Sequence, residues 1–291
     1  MITRELIKKV RKIEITTNRV VSNQLAGQYH SVFKGRGMSF SEVRPYQAGD
    51  EIRAIDWNVS ARMSETYVKQ FEEERELTVM ILVDQSASGL FGTFEQSKAE
   101  LQAEIAAVLA FSAIKNNDRV GLILFTDVVE KFVPPKKGKK HVLRVVTEIL
   151  DHTPSSPRTD LTAGLSFLTR VAKRKTVAFL LSDFLAGGFE KALRVAHQRH
   201  DLVPIVMRDP VEEQLPDLGV VFLRDAETGE VVPVDTGDRG LRARWHEYMK
   251  NERLERERLL RKLDIDWVDV RTDKTYLGPL TRFFERRAAR W

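Results

Sequence analysis

From Leu77 onward the chain alternates short, densely apolar runs with longer stretches in which apolar residues return at helical spacing. Leu77–Val83 reads as a buried strand, and Phe94–Asn116 as a long helix that is apolar on most faces, as a helix packed on a sheet must be. Arg119–Phe125 predicts a second strand, Val128–Val133 a short edge strand, and Lys140–Asp151 and Leu161–Lys173 two helices. The strand Lys175–Leu181, the helix Phe189–His200 and the strand Asp201–Met207 continue the alternation. Repeated strand–helix–strand order with nearly continuous apolar strands is the pattern of a doubly wound, mostly parallel α/β sheet. Beyond Pro210 the pattern loosens into a strand pair, Gly219–Leu223 with Glu230–Val234, turning around Thr228-Gly229. Leu241–Leu263 predicts a charged helix with Trp245, Met249, Leu259, Leu260 and Leu263 on its apolar side, followed by a strand at Ile265–Val270 and a basic helix at Leu280–Trp291. Residues 1–76 break the alternation: Gly35, Gly37, Pro45 and Gly49 punctuate a segment crowded with Arg, Asp and aromatic residues. The expected organisation is an N-terminal appendage, 1–76, packed on an α/β domain, 77–291.

In an open parallel sheet, ligands bind beyond the carboxyl ends of the strands, where the winding reverses. Asp84 ends one predicted central strand and Asp183 another, so two neighbouring strands would put two carboxylates at one crevice. Ser86 and Ser88 follow Asp84 at alternate positions, and Thr159 stands in a loop just before a helix. Two carboxylates and three hydroxyls form a hard oxygen donor set suited to Mg²⁺ or Mn²⁺. Ordinary structural roles are also open to these residues: Asp84 as a cap, Thr159 as the N-cap of the following helix, and Asp183 as a turn residue.

Composition narrows the chemistry. At 291 residues, 42% hydrophobic and 31% charged, the chain can bury one substantial core. It has no cysteine, which excludes disulfides, thiolate metal sites and cysteine nucleophiles. Apolar runs such as Val79–Val83 are far short of a membrane span, and the first residues lack a signal-peptide core, so a cytoplasmic protein is expected. A net charge of +5 permits an acidic partner without requiring one. The basic run around Lys136, Lys137, Lys139 and Lys140 raises nucleic-acid binding as an alternative, but no helix-turn-helix or aromatic-interleaved pattern accompanies it, and a solvated turn suffices. A Mg²⁺-dependent hydrolase or phosphatase is the enzymatic alternative; the chain has no G-x-x-x-x-G-K-[ST] phosphate cradle and no histidine near Asp84 or Asp183 in sequence.

The core resembles the von Willebrand factor A domain. That family's metal-ion-dependent adhesion site runs D-x-S-x-S, then Thr, then Asp, and Asp84, Ser86, Ser88, Thr159 and Asp183 match it in order. The resemblance implies a divalent cation (Mg²⁺, Mn²⁺ or Ca²⁺) held by hydroxyls directly and by Asp largely through water. An acidic side chain of a partner would fill the open position, which means binding and not turnover. The stretches Gly35–Tyr46, Gly49–Trp57, Ser60–Arg62 and Phe71–Glu76 also resemble the domain of unknown function 58 family. Members are bacterial von Willebrand A-like proteins associated with MoxR-type AAA+ ATPases. This resemblance implies a non-enzymatic adaptor for such an ATPase or its client. Gly89 departs from a family pattern that often has Met there, and the membrane location implied by the two membrane helices of many relatives is not carried over as an expectation for this chain. Within the signature, Arg44, Arg53, Arg62 and Arg75 among Glu42, Asp50, Asp56 and Glu73 suggest a buried ion-pair network supported by Trp57 and Tyr46, or else a recognition surface.

Overall fold

The computed structural model describes residues 4–21, 27, 29, 32–33, 39–63, 65–72, 76–92 and 96–290. The chain divides into two compact units, Met1–Val32 together with Thr78–Trp291, and Phe33–Leu77.

In chain order the elements are α1 (Arg4–Val20), β1 (Ser39–Pro45), α2 (Trp57–Ser60), β2 (Tyr67–Glu72), β3 (Thr78–Asp84), α3 (Lys98–Lys115), β4 (Arg119–Phe125) and β5 (Val129–Lys136). Then follow α4 (Lys139–Asp151), α5 (Leu161–Val171), β6 (Val177–Ser182), α6 (Glu190–Arg199), β7 (Asp201–Arg208), α7 (Pro210–Glu213), β8 (Val220–Arg224), β9 (Val231–Asp235), α8 (Arg239–Lys262), β10 (Val268–Arg271) and α9 (Leu277–Ala288). The main sheet has six strands in the order β10-β7-β6-β3-β4-β5. All neighbours are parallel except the edge strand β5, which runs antiparallel to β4. The expected doubly wound α/β sheet is therefore present. Its central strands are buried along their length because helices cover both faces, which is why they read as unbroken apolar runs.

On one face, Met80, Leu82, Ile123, Phe125, Ala178 and Leu180 pack with Leu161, Leu165 and Leu168 of α5 and Leu193 and Ala196 of α6. On the other, α3 and α4 cover the sheet and α1 packs on both. The sequence pattern had α1 inside the appendage. Instead Ile13, Thr17 and Val21 are buried, and Met1–Val32 belongs with the α/β unit. Their four-residue spacing is a helical stripe, masked by interleaved charges. Lys139, in the basic run, pairs with Glu14 of α1 at 2.7 Å, and Lys137 donates to Asn117. Among the described residues no helix is long and apolar enough to cross a membrane.

The second unit is built on the antiparallel pair β1–β2. Arg44 makes a two-pronged contact with Asp50, both bonds 2.7 Å, and Asp56 caps α2 through the Asn58 and Val59 amides. The buried network expected here is not what the described residues form. The Arg44–Asp50 pair is partly exposed, Glu42, Arg53 and Arg62 face solvent, and Trp57 is 66% exposed. A short two-stranded sheet has too little interior to desolvate so many charges, so they stay in water. Arg75 and Glu73 lie outside the described residues.

α5 approaches β4 so closely that a Cβ on Gly164 would lie 2.8 Å from the buried Phe125 ring. Gly164→Ala should cost about 1–3 kcal/mol through overpacking, despite the better helix propensity of Ala. Chemical denaturation checks this, and an unchanged midpoint would contradict it.

Candidate functional site

β3 and β6 are adjacent and parallel, with Val83 level with Leu181. The chain goes from β3 to β4 on one side and returns to β6 on the other, so the winding reverses between β3 and β6. Asp84 and Asp183, at the ends of these strands, are brought to one crevice as the sequence suggested, and they are only 2% and 6% exposed.

Asp84 is fixed from both sides. Its Oδ1 accepts the Ser86 amide at 3.0 Å and its Oδ2 accepts the Ser182 hydroxyl at 2.6 Å. The loop beyond it is pinned by Gln85 N–H to Phe125 O and by Ala87 N–H to Pro157 O. The Ser86 and Ser88 hydroxyl oxygens lie 3.1 Å apart, close to the roughly 3.0 Å between adjacent ligands on an octahedral Mg²⁺. The Ala87–Pro157 bond also draws the Thr159 loop beside this one. Asp160, and not Thr159, caps α5 by accepting the Thr162 amide at 2.7 Å, leaving Thr159 free of that task. Thr159 Oγ1 instead donates to Glu227 Oε1 at 2.6 Å.

Asp183 is held by a tight turn. Its Oδ1 accepts the Leu185 amide at 3.2 Å, and the buried Phe184 takes a φ of 57°, a left-handed conformation that costs an L-residue on the order of 1 kcal/mol. The Ser182 hydroxyl accepts the Phe184 amide while donating to Asp84, tying the two strand ends together. Asp183 Oδ2 accepts from Lys98 Nζ at 3.0 Å, and the same ammonium donates to Glu212 at 2.6 Å. Lys98 is 1% exposed, in the first turn of α3, whose start is set by a reciprocal Ser97–Glu100 capping box. From α8, the buried Arg256 reaches the Asp183 carbonyl at 3.4 Å.

Burial, above all, pushes the Asp84 carboxyl up to about 6; the negative charge of Asp183 adds to this, and the Ser182 and Ser86 hydrogen bonds oppose it. For Lys98, burial works against the ammonium, but Asp183 and Glu212 outweigh it and raise its pKa.

The five expected residues divide into a preformed part and an engaged part. Asp84, Ser86 and Ser88 converge, Asp84 accepting one hydrogen bond at each oxygen and the two hydroxyls bonding each other, with lone pairs left over on each. Asp183 shares one oxygen with Lys98, although a carboxylate offers roughly four acceptor positions and retains capacity. Thr159 spends its donor on Glu227 and keeps its lone pairs. By donor type the set suits a hard divalent cation. Among the described residues no group of three or more His, Asp or Glu is placed to hold a metal, so this set depends on its hydroxyls. Sequence reasoning missed Ser182, Lys98, Glu212 and Glu227. The Ser97-x-x-Glu100 capping box could have placed Lys98 over the crevice, whereas Glu212 and Glu227 come from 114 and 68 residues away with no local signal.

A mostly parallel sheet of this order, with donors at its switch point, places the protein in the von Willebrand factor A-like class. A solved aerotolerance-related membrane protein from Bacteroides fragilis is similar in fold, with 17% identity and a TM-score of 0.50, covering 74% of this chain and all of that one. The chain belongs to the family described as "Protein of unknown function DUF58", matched over residues 42–255. The uncharacterized protein Rv1480 of Mycobacterium tuberculosis is 31% identical over 97% of this chain and 90% of its own length. YeaD of Bacillus subtilis, also uncharacterized, is 32% identical over 35% of this chain and 23% of its own.

Two predictions follow from the charges. A raised carboxyl pKa means that Asp84 weighs nothing against folding below its unfolded value of 3.8 and weighs fully against it above about 6. In chelator, Asp84→Asn should therefore be more stable than the parent at pH 7.5, on the order of 1–3 kcal/mol, with the gap closing toward pH 4. Melting curves at several pH values check this. Lys98→Met strands the buried Asp183 and the partly buried Glu212 and should cost about 3–5 kcal/mol. The double variant Lys98→Met/Glu212→Gln should lose less than the single one in urea denaturation, because one stranded charge is gone.

Proposed function

We propose that this chain is a non-enzymatic protein-interaction module acting in the cytoplasm as an adaptor for a MoxR-type AAA+ ATPase. In this reading Asp84, Ser86, Ser88, Thr159 and Asp183 hold a divalent cation, Mg²⁺ or Mn²⁺, and an acidic side chain of the ATPase or its client completes the shell. The observation that carries it is the convergence of Asp84 and the paired Ser86 and Ser88 hydroxyls at the β3–β6 switch point. The cation would supply an electrophilic centre for an anionic oxygen. The chain's own residues do the rest: Ser182 and the Ser86 amide orient Asp84, and Lys98 and the Leu185 amide orient Asp183. A partner carboxylate in this partly dry crevice would feel an attraction much less screened than at an open surface.

Binding is favoured over hydrolysis because the Ser86 hydroxyl is paired with the Ser88 hydroxyl, the arrangement of two neighbouring cation ligands. The basic run likewise has structural work at the start of α4, through Glu14 and Asn117, which weakens the nucleic-acid alternative.

Purified MoxR-type ATPase from the same cell should bind the chain in Mg²⁺ and be released by EDTA. Ser86→Ala and Asp183→Asn should lose the Mg²⁺-dependent part, while neutralising Lys136, Lys137, Lys139 and Lys140 should alter only salt sensitivity. Binding that is equal in EDTA and in both site variants would sink the adhesion mechanism and turn attention to the exposed face around Ile52, Trp57 and Met63.

A further inference from the structure

The β8–β9 hairpin forms a two-stranded sheet of its own, apart from the main sheet. Its base is fixed by Thr236, which is almost fully buried and exchanges bonds with Leu218 and Gly219, and its tip by the Glu227 carboxylate, which accepts the Thr159 hydroxyl. Between these anchors the two edges of the ribbon differ. Gly219 lies opposite Thr236 and Asp225 opposite Glu230, each pair joined by a backbone bond of 2.8 Å. In an antiparallel pair every second residue turns its amide and carbonyl outward, so the register places Val220, Phe222 and Arg224 on the outer edge of β8, and Val231, Pro233 and Asp235 on that of β9. Proline has no amide hydrogen, so Pro233 interrupts the outer edge of β9 at its centre. The edge strand β5 of the main sheet carries Pro134 and Pro135 in the same way. β8 has no such device. Among the described residues the outward amides of Val220, Phe222 and Arg224 have no hydrogen-bond partner, and Val220 and Phe222 are 66% and 74% exposed.

An open, apolar edge on a ribbon whose other edge is blocked is a template for one more strand. We propose that this strand is β8 of a second copy of the chain, paired antiparallel about a two-fold axis at Phe222, so that two hairpins join into one four-stranded sheet. β8 is self-complementary in this register. Phe222 faces Phe222 of the second copy, Val220 faces Arg224, and the outward amides of each strand meet the outward carbonyls of the other, because the two residues of a hydrogen-bonded antiparallel pair exchange both bonds. The charges agree with this pairing. Across the joined sheet the outer rows read Asp235, Val220, Arg224 and Val231, so an Arg224 from one copy shares a row with an Asp235 from the other, and no like charges stand opposite each other. A second copy placed on the outer edge of β9 would lose a bond at Pro233. Joining the edges also turns a two-stranded ribbon, marginal by itself, into a sheet of the size that is ordinarily stable.

Sedimentation velocity of the full chain over a concentration series tests this. A five-residue edge makes a short interface, so the dimer should dissociate at roughly 1–100 μM. Val220→Pro removes an outward amide from each copy and leaves the β8–β9 bonds in place, as Pro233 does on the other edge, and should weaken the dimer about tenfold or more. Because the chain has no cysteine, Phe222→Cys gives a second reading. Hydrogen-bonded antiparallel neighbours lie about 5.5 Å apart at Cα, within reach of a disulfide, so mild oxidation should link two copies of Phe222→Cys. Val231→Cys, about 14 Å or more from its counterpart in the joined sheet, should stay unlinked. A dimer undiminished in Val220→Pro, or equal linking of the two cysteine variants, would overturn the proposal by placing the contact elsewhere. A parent that stays monomeric throughout the series would overturn it too, and would leave the β8 edge to a strand of another protein.

Discussion

Two carboxylates at the ends of adjacent strands, nearly out of reach of water, are the constraint around which this crevice is organised. Burying an ionised carboxylate is costly, and burying a second nearby raises the cost further. The surrounding structure answers that cost residue by residue. Ser182 and the Ser86 amide hold Asp84, and Lys98 meets Asp183 from the start of α3. Glu212 then shares the same ammonium, and Arg256 lies behind the Asp183 carbonyl. Even so, Asp84 is left with a pKa near 6, so the compensation is incomplete. Incomplete compensation at a conspicuous position marks functional sites more often than structural ones.

The sheet supplies rigidity and the loops supply chemistry. β3, β4 and β6 are buried along both faces, so the Asp84–Ser88 loop and the turn at Asp183 start from fixed points. Cross-links between loops, such as Ala87 to Pro157 and Asp160 to Thr126, then limit how far the donors can drift. The hairpin differs in kind. Its strands expose apolar surface, and its tip meets the crevice through a carboxylate from a turn organised by Asp225.

The Phe33–Leu77 unit has its own logic. Among its described residues Arg44 pairs with Asp50 and Lys69 with Asp56, while Glu42, Arg53 and Arg62 are exposed, as are Ile52, Trp57 and Met63. This segment overlaps the family match, which begins at residue 42.

The fold class was legible in the sequence because buried parallel strands leave unbroken apolar runs, as in Val79–Val83 and Val177–Leu181, and because intervening helices carry their own period. That Asp84 and Asp183 stand at the ends of neighbouring strands was legible because buried parallel strands mark their own ends in the sequence. The packing of helix α1 was not, since its buried Ile13 and Thr17, with Val21 just past its end, are spaced among charges that hide the stripe. Nor was the outcome of the Arg-rich signature, because exposure depends on how much interior a segment can build and not on which charges it contains. Lys98, Glu212 and Glu227 belong to the crevice only through packing. Sequence determines which groups a strand end or a turn offers, whereas a buried charge finds its partners among whatever the fold brings within about 3 Å, and that distance is set by elements scores of residues apart.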